Sequence, residues 1–178
     1  SMPTLDFWYE FASTYSYPAA ARIRALTDAA GVALRWRPFL LGPIFKAQGL
    51  DNSPFNIYET KGRYMWRDLE RICADLDLPF AKPDVFPQSG LLAARVTLVG
   101  LDDGWGERFI PAVYRAQFAE GQAIADPAVI RDILVAMKID PKPVFDRAQS
   151  DAVKTRMREQ TAEAQRLGIF GAPSMVVN

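Results

Sequence analysis

The apolar positions of the chain fall into two rhythms. Leu5 to Phe11 is a short aromatic run that reads as a strand. Val32 to Phe39 alternates apolar and polar residues at period two and predicts a second strand. Between them, Ala21, Ile23, Leu26 and Ala30 recur at roughly helical spacing, so Tyr17 to Ala30 reads as a helix. Pro18 sits in its first turn, where a missing N–H costs little, and Gly31 provides a stop. The opening is therefore strand–helix–strand, the start of an α/β unit.

The rhythm then changes. Leu40 to Asn56 mixes glycine, proline and polar residues and reads as loop. Ile57 to Asp77 carries a helical pattern with Tyr64, Leu69, Ile72 and Leu76 among many charges. Asp77 to Ser89 is a proline-rich connector. Leu91–Leu101, Glu107–Glu120, Ala128–Met137 and Ala152–Leu167 read as helices, with a short one starting near Asp140-Pro141. Asp126 and Pro127 form a helix start, as N-cap and first helical residue. Met175 to Val177 returns to strand after Ala172-Pro173. A block of about 110 residues of short helices is thus placed inside an α/β unit, because such helices are marginal alone.

Composition narrows the chemistry. Apolar residues make up 49% of the 178, so a packed core is expected and disorder is not. Lys plus Arg equals Asp plus Glu, 21 each, with no basic stripe, so no nucleic-acid partner is expected. There is no histidine, which removes Ser-His-Asp and Cys-His mechanisms and His-based metal sites. One cysteine, Cys73, makes neither a dithiol pair nor a Cys-rich metal site and reads as a buried structural thiol. No metal site is expected. No run of about 18 apolar residues exists to span a membrane. The N-terminus lacks the basic and apolar regions of a secretory leader, so a cytoplasmic protein is expected. Ser1 ahead of Met2 reads as a cloning remnant.

The first strand–helix junction, Ser13-Thr14-Tyr15-Ser16, places two hydroxyls three apart. Serine and threonine are favoured N-caps, and that role alone accounts for Ser16. The same physics admits a sharper use. A helix start offers free N–H groups and the positive end of a dipole, which together stabilise an anion. A serine hydroxyl there can donate to a bound thiolate. The helix field contributes about 0.3–1 kcal/mol and a hydrogen bond to a charged group about 1.5–3 kcal/mol. Together they lower a thiol of pKa about 8.5 by roughly one to two units. Gly171-Ala172-Pro173-Ser174 is the second clue. If the Ala172-Pro173 bond is cis, the Ala172 main chain faces outward and can pair with a peptide-like ligand.

These stretches carry a resemblance. "FASTYSY", "WRPFLLGPIFKAQGLDNSP", "KGRYMWRDLERICADLDLPF" and "RLGIFGAPSMVV" together resemble the DsbA-like thioredoxin fold. The likeness is to the branch of kappa-class glutathione transferases and 2-hydroxychromene-2-carboxylate isomerases. It implies an α/β thioredoxin-like domain over 1–42 and 161–178, interrupted by an all-helical insertion over 43–160. It also implies one more strand and a closing helix beyond Asn178, whose start holds the γ-glutamyl end of glutathione. Where redox relatives carry Cys-x-x-Cys, this chain has Ser13 and Ser16; where the branch usually has Ser-Pro-x-Ser, it has Thr14.

The resemblance implies glutathione as cofactor and Ser13 as the catalytic serine bonded to its sulfur. It implies contacts to glutathione from Asn52, Lys61, Ala172 and Pro173, with Lys61 on a carboxylate of the tripeptide. It further implies a homodimer and a small aromatic carboxylate substrate. The expected reaction is glutathione-dependent cis–trans isomerisation of an aromatic ring-cleavage product, of the kind met in naphthalene breakdown. A transferase that releases thioether conjugates and a non-catalytic glutathione- or peptide-binding module remain alternatives. Phe39, Phe45, Tyr64, Trp66 and Phe86 are candidates to line the substrate pocket, and each fits plain core as well. Arg37 is a candidate for the substrate carboxylate or a surface charge.

Overall fold

The computed structural model describes residues 2–178; Ser1 lies outside the described residues. The chain opens with β1 (Thr4–Tyr9), α1 (Ser16–Ala30) and β2 (Ala33–Pro38). Two short helices follow, α2 (Gly42–Ala47) and α3 (Pro54–Ile57), then the longer α4 (Glu59–Asp75). Next come α5 (Leu91–Asp103), α6 (Gly106–Phe118), α7 (Pro127–Ala136), α8 (Pro141–Ala148) and α9 (Asp151–Arg166), before β3 (Ser174–Val177) closes the series. The sheet has order β2-β1-β3. No described helix is long and apolar enough to cross a membrane.

Strand register gathers the loops that matter. β1 and β2 run parallel from Thr4 opposite Ala33 to Tyr9 opposite Pro38. β3 is antiparallel to β1 and begins with Ser174 opposite Trp8. Three connections therefore meet at one edge: the turn after β1, the segment after β2 and the segment before β3. Alternation splits the side chains of β1. Phe7 and Tyr9 enter the main core with Trp36 and α6, whereas Trp8 packs on the other face with Phe39, Leu41, Ile44 and Ile169.

β1 ends two residues before the aromatic run does. The Ser13 N–H bonds back to the Glu10 carbonyl at 3.1 Å, so the chain already turns there. The region 40–56 is not all loop. Pro43 and Pro54 sit in the first turns of α2 and α3, and the Ser53 hydroxyl caps α3 by accepting from Phe55 N at 3.2 Å. Prolines there start helices, because the first turn needs no donor from them. In α4 the buried line is Met65, Leu69 and Cys73, and Tyr64 is exposed.

α6 positions the site. Its Tyr114 hydroxyl donates to the Glu10 carbonyl at 2.8 Å, and Gln117 Nε2 donates to the Phe11 carbonyl. α5 and α6 meet through glycines: a Cβ on Gly106 would fall 2.5 Å from Leu101 N and 2.8 Å from Gly100 C. Gly106→Ala is expected to cost about 1–3 kcal/mol, because backbone is the obstacle and α6 must shift. Urea unfolding at equilibrium reads this loss; an unchanged midpoint would mean that the two helices separate freely.

Candidate functional site

A cavity of about 640 Å³ opens at the edge where the three connections meet. Its wall takes Glu10 and Ala12 to Tyr15 from the β1–α1 turn, Leu40 to Pro43 from the end of β2, and Asp51 to Asn56 around α3. Phe45, Gln48, Met65, Phe86 to Leu91 and Phe170 to Ala172 complete it. The lining is mostly apolar with a few convergent polar groups, the usual make-up of a small-molecule site. Its charged members are Glu10 and Asp51; no lysine or arginine lines it.

Ser13 and Ala172 meet in the wall of this cavity. The Ser13 hydroxyl donates to the Ala172 carbonyl at 3.1 Å. The Ala172-Pro173 bond is cis, and a second cis bond joins Phe86 to Pro87. α1 begins directly behind Ser13. The serine and threonine hydroxyls do not cap it: its N-cap is Tyr15, in helical geometry, with no side-chain capping bond. Two successive turns, Glu10–Ser13 and Thr14–Tyr17, lead into the helix, and Tyr15 at φ −69°, ψ −20° lacks the extended N-cap backbone that a capping side chain needs. Ser16 is fully buried with its Oγ unpartnered, rather than serving as the cap its type suggested.

The other residues singled out from the sequence divide. Asn52 lines the cavity, and its Oδ1 accepts from Ser53 N at 2.8 Å and Asn56 Nδ2 at 3.0 Å. Lys61 lies outside the lining, exposed on the first turn of α4, with Nζ 5.5 Å from the Tyr58 ring centroid. Pro173 is half-buried just behind Ala172. Phe45 and Phe86 line the cavity. Trp66 stands behind Phe86 with ring centroids 4.8 Å apart, Phe39 is buried against Trp8, and Tyr64 faces outward. Arg37 is elsewhere: it lies over the Trp8 ring at 4.4 Å, reaches Asp6 at 3.4 Å and lines a separate groove between β2 and α9. Cys73 is buried, which pushes its thiol up to about 11.

Residues 4–178 match the DSBA-like thioredoxin domain as a family model. The chain belongs to this family. The DSBA-like chain is 27% identical over 175 residues to 2-hydroxychromene-2-carboxylate isomerase of Sphingobium xenophagum, covering 98% of this chain and 89% of that protein. It is 24% identical over 181 residues to glutathione S-transferase kappa 1 of Caenorhabditis elegans, covering 97% and 79%. A solved structure of 2-hydroxychromene-2-carboxylate isomerase superposes with a TM-score of 0.83 at 23% identity, covering 97% of this chain and 84% of that one. The DsbA-like fold expected from the motifs is the fold the chain adopts.

Two features of this DSBA-like site escaped the reading of the sequence. Tyr15 donates to Asp68 Oδ2 at 2.9 Å and packs on Phe55 at 5.8 Å, tying the turn to α3 and α4. Burial and the Asp68 carboxylate raise its phenol above the ordinary value. Glu10 is the other. The residue is half-buried at the cavity wall, but its carboxyl is withdrawn from solvent and accepts from Leu41 N at 3.1 Å. Burial raises that carboxyl to about 7, against the lowering effect of the Leu41 bond. A lone acid closing an aromatic strand was the available signal.

Between about 4.5 and 7 the folded chain keeps a proton on Glu10 that the unfolded chain has lost, so this group's contribution to stability falls as pH rises through that window. Glu10→Gln is therefore expected to stabilise the chain above pH 7, by on the order of 1–3 kcal/mol, and to make little difference below pH 4.5. Thermal unfolding of both chains across pH tests this, since the other titrating groups cancel in the difference.

Proposed function

We propose that this cavity binds glutathione, ionises its thiol at the start of α1, and uses it for cis–trans isomerisation of an aromatic ring-cleavage product. The observation that carries the reading is the Ser13–Ala172 pair, a hydroxyl donating to a main-chain carbonyl at 3.1 Å in the wall of a largely apolar cavity. The similarity to an isomerase and to a glutathione transferase supports it.

In this reading Ser13 turns its hydroxyl from the Ala172 carbonyl to the ligand sulfur. The free N–H groups of α1 add their field. Ala172, ahead of Pro173, holds the cysteinyl main chain of the tripeptide. Asn52 contacts it from the α3 side, and Lys61 reaches a terminal carboxylate from the first turn of α4. The substrate is of the 2-hydroxychromene-2-carboxylate type. Its ring opens to an alkene conjugated with a ketone. The thiolate adds to that alkene, so a C–S bond forms and the double bond becomes single. Rotation follows, and the sulfur leaves with its electron pair to restore the alkene in the trans form. The hydroxyl and N–H donors near the cavity stabilise the anionic adduct.

Likeness to the kappa-class transferase favours a second reading, in which the adduct is protonated and released as a thioether. Product analysis separates the two. Ser13→Ala is expected to slow glutathione-dependent turnover of a benzylidenepyruvate substrate by about 10–100-fold, the value of a hydrogen bond to a charged group. Unchanged turnover would remove Ser13 from the mechanism, and accumulation of a stable thioether would select the transferase.

A further inference from the structure

Glu10 is held rigidly beside the cavity. Its carbonyl accepts from Ser13 N at 3.1 Å and from the Tyr114 hydroxyl at 2.8 Å. Its Oε1 accepts from Leu41 N at 3.1 Å. One tight turn separates it from Ser13, and both line the same cavity. Among titratable groups, Tyr9 precedes it in the chain, Tyr114 of α6 interacts with it, and Tyr15 of the turn and Asp51 before α3 line the same cavity. None is a cation, and the wall segments 86–91 and 170–172 add no charge. A carboxylate here has no counter-ion to offset its burial.

A thiolate brought into the same cavity meets that problem twice. Two anions in one poorly solvated site repel each other, so the pair retains one proton between them. We propose that Glu10 accepts the proton that a thiol ligand loses as it ionises in this cavity. The proposal rests on the glutathione reading above. The S–H bond breaks and its electron pair stays on sulfur; an O–H bond forms on the Glu10 carboxylate. No oxidant or reductant is needed, and the proton returns when the thiol leaves. The carboxyl's ordinary range is far below that of a thiol, but burial raises it to about 7, close to a thiol acidified by Ser13 and α1. Transfer between groups of matched acidity is nearly balanced and therefore readily reversed. Glu10 is then a catalytic residue, and the Leu41 bond keeps its carboxyl at the cavity wall.

The test counts protons. Glutathione is titrated into the full chain near pH 8 by calorimetry, in buffers of different ionisation heat. The ultraviolet band of the thiolate is followed in parallel. The wild-type chain is expected to form thiolate with close to no proton released. Glu10→Gln keeps an acceptor for Leu41 N but cannot take a proton, so it is expected to release close to one per thiolate formed. Glu10→Asp is expected to return the count toward the wild-type value. Equal counts in wild type and Glu10→Gln, with the thiolate band intact, overturn this proposal and leave the glutathione reading standing. No thiolate band in the wild-type chain overturns the glutathione reading and this proposal together.

Discussion

The site depends on how the chain is anchored as it leaves β1. The backbone between Tyr9 and Ser16 belongs to no strand or helix, yet it carries Glu10, Ser13 and Tyr15. Its carbonyls are held by α6, through Tyr114 to Glu10 and Gln117 to Phe11. With the Ser13 N–H bond to the same Glu10 carbonyl, these two bonds tie the path of the turn to α6. The aromatic rings around them leave little slack: Tyr17 and Tyr114 stack at 5.9 Å, and Phe11 lies 5.1 Å from Tyr114. The helical block thus sets where the hydroxyl of Ser13 points.

From that anchor the remaining pieces follow by register. Parallel β2 ends beside β1 and delivers Leu41, whose N–H orients Glu10. Antiparallel β3 starts beside the end of β1 and delivers Ala172 opposite Ser13. Ligands bind where loops leave the carboxyl ends of parallel strands, and here an antiparallel strand adds its entry loop to the same corner. Tyr15 completes the arrangement by tying α1 to α4 through Asp68.

The parts that were legible in the sequence are those governed by neighbours in the chain. β1, α1 and β2 follow from period and from helix stop signals. Ser13 and Ala172 follow from motifs whose meaning is local, and the structure brings them together. What was not legible depends on contacts far along the chain. Glu10 is perturbed by burial, and its hydrogen-bond partners Leu41 and Tyr114 lie far from it in the chain. Arg37 looked free, but Asp6 on the adjacent strand and the Trp8 ring occupy it. Tyr64 fitted an apolar pattern, yet α4 turns Met65 inward; in a helix this rich in charge, one position decides the face. Prolines in 40–56 suggested loop because proline both starts and breaks helices, and only the following residues distinguish the two.

The placement of Cys73 has a practical corollary for chemistry with thiols. It is the chain's single sulfhydryl, fully buried on the inner face of α4 and weakly acidic. Mixed disulfides with small thiols and reaction with alkylating reagents both need an accessible thiolate. In the folded polypeptide Cys73 is therefore shielded from such reagents. Thiol-specific labelling of the polypeptide then reports its opening, since the sulfhydryl becomes reachable only as the core comes apart.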